Sequence, residues 1–163
     1  MYDKQINAIK LNNKMHTLEE IEGFRQGVNE LKVSLPNSPD ILSKLLLGFI
    51  DKTEHKEVMW SLLHLIESYE YHIYIKSLIV TTPLMIEEAF NWLKILYTRI
   101  LNNEKTYKEL IDQLSEFPYN IRKTVVDFLL NIIEDPKGED ANRVKTLNQK
   151  IEHLIGIIDN KFE

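Results

Sequence analysis

The stretch HKEVMWSLLHLIESY, residues 55–69, indicates the fold class of this chain. Its apolar residues recur at intervals of three and four positions, which is the spacing of one face of an amphipathic α-helix. Similar spacing runs along most of the chain, as between Leu18 and Leu31. The sequence therefore predicts an all-α protein. The predicted core stripe of this helix is Val58, Met59, Leu62, Leu63, Ile66 and Tyr69.

Length and composition predict one domain spanning residues 1–163. A chain of 163 residues with 44% hydrophobic and 28% charged residues has enough apolar side chains to bury a core. The absence of cysteine excludes a disulfide framework, a thiolate zinc site and a cysteine nucleophile. Residues 1–14 contain no apolar segment typical of a signal peptide, and no apolar run is long enough for a membrane span. We therefore expect a cytoplasmic protein without a membrane partner.

The net charge of -5 bears on the class of partner. The 20 Lys and Arg residues are scattered among 25 acidic residues, so no concentrated basic surface is available for nucleic-acid phosphates. Nucleic acid is therefore not expected as a partner. An acidic protein attracts basic ones, so the charge predicts a basic protein partner.

Helix boundaries follow from the periodicity and from start signals. Four start signals are present: capping-box spacing from Thr17 and from Thr106, and a cap residue before proline at Ser38 and Thr82. The segment 72–80 is rich in β-branched residues, but a lone strand would have no partner, so we predict a helix there. Residues 136–140 are predicted to form a loop. The predicted helices are 2–12, 17–34, 39–50, 55–70, 72–81, 84–102, 105–115, 119–134 and 140–161.

The longer helices that begin near residues 55, 87 and 119 recur at a regular interval, and each follows a shorter helix. Short connectors make neighbouring helices antiparallel, and a single hairpin cannot bury its apolar stripe alone. We therefore predict stacked helical hairpins, an α-solenoid of the HEAT or armadillo type. An irregular helical bundle is the alternative, because the repeats share little sequence beyond their period.

No constellation of catalytic residues is visible. His64, Glu67 and His72 are possible metal ligands, but the two histidines are not spaced to share one helix face, which favours structural roles for them. The five histidines are dispersed, and the five glycines form no phosphate-binding loop. We therefore predict no enzymatic activity, no metal and no cofactor. A metal-dependent helical enzyme that uses these three residues is the remaining alternative.

Candidate partner-binding residues lie outside the predicted core stripes. On the helix from residue 55, a large aromatic residue outside the stripe, Trp60, is either a binding anchor or covered by another helix. In a solenoid, the second helices of successive pairs line one concave surface, so their outward stripes would form one continuous groove. The predicted partner-binding residues are Glu57, Trp60, His64, Glu67, Tyr71, Glu88, Asn91, Trp92, Arg99, Asp127 and Asn131.

Four segments carry a resemblance to a known family. They are LEEIEGFRQGV at 18–28, PDILSKLLLGFID at 39–51, EVMWSLLHLIESY at 57–69, and a tryptophan followed by ILYTRILNN at 92–103. Together they resemble the immunity proteins of family 30 from bacterial polymorphic-toxin systems. The resemblance covers roughly Leu18 to Glu134.

The resemblance implies a small cytoplasmic all-helical protein that binds a cognate toxin domain and blocks its active site or its target-binding surface. It implies no catalysis. The matching segments 59–67 and 92–103 contain the residues that would be able to touch such a partner, among them Trp60 and Trp92. A helical-repeat interaction scaffold unrelated to toxins is the alternative function.

Overall fold

The structure, a computed structural model, describes residues 1–134, 138 and 140–160. These residues form helices joined by short connectors, and no strand occurs among them. The prediction of an all-α protein is therefore confirmed. The helices are α1 (Asp3–Leu11), α2 (Leu18–Ser34), α3 (Pro39–Leu46), α4 (Lys56–Glu67), α5 (Tyr71–Met85), α6 (Phe90–Leu101), α7 (Glu104–Leu114), α8 (Tyr119–Asn131) and α9 (Ala141–Asn160).

The chain divides into two compact units, Met1–Leu93 and Lys94–Glu163. In the first unit, α1 packs on α2, α3 packs on α5, and α4 contacts all three of α2, α3 and α5. In the second unit, α9 packs on α7 and α8. Helix α6 begins in the first unit and ends in the second. The single domain and the solenoid arrangement stay predictions.

Helix α4 lies in the core of the first unit. All six residues of its predicted stripe are buried, and Leu65, which lies outside that stripe, is buried as well. The buried arc is therefore wider than the predicted one, because α4 is covered by three other helices. Each buried leucine or isoleucine stabilises the fold by about 1.5–3 kcal/mol relative to an exposed one.

The packing of α1 on α2 requires a glycine at position 27. A Cβ atom there would lie 2.9 Å from the main-chain oxygen of Gln5 and 2.9 Å from Cγ1 of Ile9. Beside this close approach, Nε2 of Gln5 donates a hydrogen bond of 2.9 Å to the carboxylate of Glu30 on α2. The two helices are therefore held by a close backbone contact and a polar contact.

Two of the predicted helix starts are confirmed. Thr17 is the N-cap of α2, and its hydroxyl oxygen accepts a hydrogen bond of 3.2 Å from the main-chain N–H of Glu20. Ser38 is the N-cap of α3, with Pro39 as its first residue. Proline is tolerated at this position because the first N–H groups of a helix have no partner within the helix.

The predicted helix start at Thr82 and Pro83 is wrong, because α5 continues through Pro83 to Met85. The hydroxyl of Thr82 does not cap a new helix; it donates a hydrogen bond of 2.7 Å back to the main-chain oxygen of Leu78. Threonine commonly bonds a carbonyl one turn earlier inside a helix, which is the alternative to a capping role. The segment 72–80 lies within α5, so the prediction of a helix there is confirmed.

The capping box predicted from Thr106 is also wrong, although the helix predicted at 105–115 corresponds to α7 (Glu104–Leu114). The N-cap of α7 is Asn103, whose Oδ1 accepts hydrogen bonds from the main-chain N–H groups of Lys105 and Thr106. The Thr106 hydroxyl donates to the main-chain oxygen of Ile100 instead, at 2.7 Å. Asparagine is among the strongest capping residues, and here it precedes the threonine along the chain.

The predicted last helix, 140–161, corresponds to α9, whereas the predicted loop before it falls largely outside the described residues. Of the predicted loop 136–140, the structure describes only Gly138 and Asp140, and residue 161 of the predicted last helix is not described. No helix in the described part has both the length and the apolar character needed to cross a membrane.

Candidate functional site

The predicted partner-binding residues differ in exposure. Eight of them are exposed, whereas Trp60 and Glu67 are partly exposed. Trp92 is buried, with only 3% of its surface exposed. The exposed ones are Glu57, His64, Tyr71, Glu88, Asn91, Arg99, Asp127 and Asn131.

Trp60 belongs to a row of aromatic rings in the first unit. Its ring centroid lies 5.6 Å from that of Trp92 in an edge-to-face arrangement, and Trp92 in turn stacks on Phe49 at 5.4 Å. Edge-to-face and offset-stacked pairs are the favoured geometries of aromatic rings. Because Phe49 and Trp92 are both buried, the partly exposed Trp60 ring rests on a fixed support.

Asp51 holds the start of α6, and with it Trp92. The Asp51 carboxylate accepts hydrogen bonds from the main-chain N–H groups of Asn91, at 3.0 Å, and Trp92, at 3.3 Å. The main-chain N–H of Asp51 donates to the main-chain oxygen of Glu88 at 2.8 Å. A carboxylate at a helix N-terminus satisfies unpaired N–H groups and interacts favourably with the helix dipole. Asp51 therefore fixes the main chain at Trp92, the residue whose ring supports Trp60.

Trp60, His64 and Glu67 form a continuous strip on the outer side of α4, which we name the tryptophan surface. The rings of Trp60 and His64 have centroids 6.0 Å apart, and Nδ1 of His64 lies 4.0 Å from the Glu67 carboxylate. Residues three and four positions apart are neighbours on one helix face, which explains this grouping. The surface combines an aromatic ring with a carboxylate.

Glu57 lies in the first turn of the same helix and makes a hydrogen bond with a nearby histidine. Its carboxylate lies 2.8 Å from Nδ1 of His55, the N-cap residue of α4. The hydrogen bond with His55 lowers the pKa of the Glu57 carboxyl. Glu57 is therefore ionised at neutral pH and adds negative charge beside the tryptophan surface.

The histidines of this region do not converge with acids into a metal-binding group. His72 pairs with Glu70 at 3.3 Å, whereas His64 is nearest to Glu67. Among the residues that the structure describes, no three His, Cys, Asp or Glu side chains are grouped as metal ligands would be.

Three of the predicted residues, Arg99, Asp127 and Asn131, belong to the second unit. The Asp127 carboxylate accepts a hydrogen bond of 2.7 Å from Lys123, one turn earlier on α8. This bond raises the pKa of the Lys123 ammonium, so that it stays charged. The continuous groove across all eleven residues stays a prediction.

Sequence reasoning did not identify Phe49 and Asp51 as part of the site. Phe49 lies beyond the C-terminus of α3, and Asp51 lies in the connector before α4. Asp51 precedes the start of α4 in the sequence, but its carboxylate accepts a hydrogen bond from the main-chain N–H of Asn91, forty positions later. No local signal identifies such a long-range cap.

Comparisons with known proteins gave one finding. Neither a search of curated proteins nor a search of solved structures gave a match. A family model described as Immunity protein 30 matches residues 11–110, which is more than half of the chain. The matched part begins at the end of α1, includes all of α2 to α6 and thus the tryptophan surface, and ends in α7. The chain therefore belongs to the Immunity protein 30 family.

Proposed function

We propose that this protein binds a cognate toxin domain in the cytoplasm and neutralises it by covering the toxin's active or target-binding surface. The observation that carries this proposal is the family match over residues 11–110, since membership of an immunity protein family supports an immunity function against toxins. Covering a surface requires a tight protein–protein interface and no catalytic group on the immunity protein.

The tryptophan surface is the proposed centre of that interface. Tryptophan is enriched among the few residues that supply most of the binding energy of an interface. Trp60 has the further property that the buried rings of Trp92 and Phe49 support it. An aromatic ring that is already fixed before binding loses little conformational freedom in the complex. Trp92 contributes to binding in this account by holding Trp60 rather than by touching the toxin.

Charge supports a basic toxin surface as the partner. The chain carries a net charge of -5, and Glu57 and Glu67 lie beside Trp60 on α4. Complementary charge raises the association rate and excludes partners of like charge. We therefore propose that Lys or Arg residues of the toxin surround the pocket or groove that receives Trp60.

The proposal is tested by the affinity of the purified chain for the toxin domain encoded in the neighbouring reading frame, measured by isothermal titration calorimetry. Trp60→Ala should raise Kd by about ten- to a hundredfold, as the loss of an interface hot spot does. Tyr119→Ala is the matched control, because Tyr119 is another exposed aromatic residue, 68% exposed, outside the family match. It should leave Kd unchanged.

An unchanged Kd for correctly folded Trp60→Ala would exclude the tryptophan surface from the interface. A wild-type chain that does not bind this toxin domain would contradict the proposed function. A gene neighbourhood without any toxin reading frame would favour the interaction scaffold instead.

A further inference from the structure

A second feature of the first unit lies between the end of α5 and the start of α6. It is a cleft of about 150 Å³, which we name the α5–α6 cleft. Its floor contains Phe49, Ile50, Met85 and Ala89, all of them buried. Asn13 and Leu47 complete the lining, so polar and apolar groups both face this open cleft. A volume of about 150 Å³ is enough for a group the size of benzene. The cleft therefore has room for one side chain of a partner.

The rim of the cleft combines an exposed apolar residue with an acid. Leu84 is 65% exposed and lines one side. Glu88 lines the rim as well, and its exposed carboxylate makes no hydrogen bond or ion pair with any residue that the structure describes. The rim is held in place, because the main-chain oxygen of Glu88 accepts a hydrogen bond from Asp51 and the N–H of Ala89 donates to Met85.

We propose that the α5–α6 cleft receives a lysine or arginine side chain of the toxin domain. The apolar stem lies against Leu84 and Phe49, and the cationic group pairs with the Glu88 carboxylate. Lysine and arginine bury their stems on apolar surface while the charged end stays near water, which matches an apolar floor below an acidic rim. The unpaired carboxylate and the net charge of -5 select a cation over an anion or a neutral side chain.

This inference rests on the proposed function and extends its interface to a second contact. Phe49 belongs to both places, since it lines the floor of the cleft and stacks on Trp92 beneath Trp60. The cleft and the tryptophan surface therefore share one aromatic support in the first unit. We therefore propose that the toxin surface that covers Trp60 extends to the cleft.

Two variants test the cleft by different means. Glu88→Gln removes the charge and keeps the size of the side chain, and Leu84→Trp fills the entrance of the cleft. Both positions are exposed, so neither change disturbs the core. With the toxin domain from the neighbouring reading frame as the probe, each should raise Kd by about tenfold, chiefly through faster dissociation measured by surface plasmon resonance.

Matched controls exist for both variants. Glu87→Gln removes the neighbouring exposed charge without altering the cleft lining, and Val80→Trp adds the same indole one turn earlier on α5, at a residue 44% exposed. Both should leave the dissociation rate within about twofold of wild type, and Glu87→Gln should act only on the association rate at low salt.

The outcomes separate the cleft from the function as a whole. Equal effects of Glu88→Gln and Glu87→Gln would indicate general steering by charge and would overturn the contact in the cleft. If the wild-type chain binds and neither Glu88→Gln nor Leu84→Trp weakens binding, the proposed contact in the cleft is wrong. The proposed function would still stand. Absence of a complex with the wild-type chain would overturn both.

Discussion

At the scale of single residues, Trp60 and Trp92 show how far sequence reasoning reaches. Helix periodicity placed both outside the apolar stripes of their helices, and for Trp60 the partial exposure agrees with this. Trp92 is buried because Phe49 and Trp60 cover it, and both come from other segments of the chain. The apolar periodicity of a helix identifies the face opposite its apolar stripe. It does not show which other segment of the chain covers that face.

The buried hydroxyl of Tyr69 provides a stability prediction. Tyr69 is 6% exposed, and its hydroxyl has no hydrogen-bond partner among the described residues. Burial raises the pKa of this phenol to about 12, so it remains protonated. A buried hydroxyl without a partner lowers the stability of the fold, and Tyr69→Phe should raise the free energy of unfolding by about 1 kcal/mol in urea denaturation.

Tyr107→Phe is the comparison for Tyr69→Phe. The Tyr107 hydroxyl lies 2.8 Å from Nδ1 of His153, so its removal deletes a hydrogen bond and should lower the free energy of unfolding by about 1 kcal/mol. Changes of the same sign in the two variants would contradict the account of Tyr69.

The lowered pKa of the Glu30 carboxyl makes the stability of the fold depend on pH. Hydrogen bonds donated by the side chains of Gln26 and Gln5 lower the pKa of Glu30 below its ordinary value of 4.5. A lowered pKa in the folded state stabilises the fold above pH 4.5, and this contribution is lost as the pH falls through the folded-state pKa. Glu30→Gln should therefore lower Tm at pH 7, and the difference from wild type should shrink below pH 4.5.

The control for the pH dependence is Glu19→Gln. Glu19 lies on the same helix, and its side chain makes no hydrogen bond with Gln5 or Gln26. Thermal unfolding followed by circular dichroism across the acidic range measures both variants. A Tm difference for Glu30→Gln that stays constant down to the acid limit would contradict the assignment.

At the scale of elements, local start signals predicted the helices near Thr17 and Ser38 and failed at Thr82 and Thr106. The failures have one physical origin. A threonine hydroxyl either caps the helix that follows or bonds a carbonyl of the turn that precedes it, and the sequence is the same in both cases. At α6, the N-terminal N–H groups are capped by Asp51, which lies in the connector between α3 and α4.

The cap at α6 carries a prediction of its own. Asp51→Ala removes the acceptor for two main-chain N–H groups and should lower the free energy of unfolding by about 1–2 kcal/mol in urea denaturation. Asp40→Ala is the control, because Asp40 lies in the first turn of α3 and no side-chain bond caps that helix. A loss for Asp51→Ala no larger than the loss for Asp40→Ala would contradict its role as a cap.

At the scale of the whole molecule, periodicity and composition predicted the all-α class, and the four quoted segments predicted the family. The arrangement of helices was less accessible to sequence. In the first unit, α3 packs on α5 and α4 lies among α2, α3 and α5, and the spacing of apolar residues along the chain does not specify these pairings. Short connectors keep successive helices close to each other in space. The shapes of their apolar faces then determine which helices pack together.

The net charge of -5 also acts at this scale. In the proposed complex, it would guide the approach of a basic toxin over distances up to a Debye length, which is about 8 Å at physiological salt. The proposed contacts at Trp60 and in the α5–α6 cleft would then determine how slowly that complex dissociates. The proposal therefore assigns the association rate and the dissociation rate to different residues of the same protein.

Neutralisation by binding is tested most directly by co-expression of this chain with the toxin domain encoded in the neighbouring reading frame, with host survival and recovery of a complex as the readouts. We expect survival of the host and co-purification of the two proteins, both weakened by Trp60→Ala and unaffected by Tyr119→Ala. Death of the host in the presence of the folded wild-type chain, or survival without a complex, would contradict neutralisation by binding.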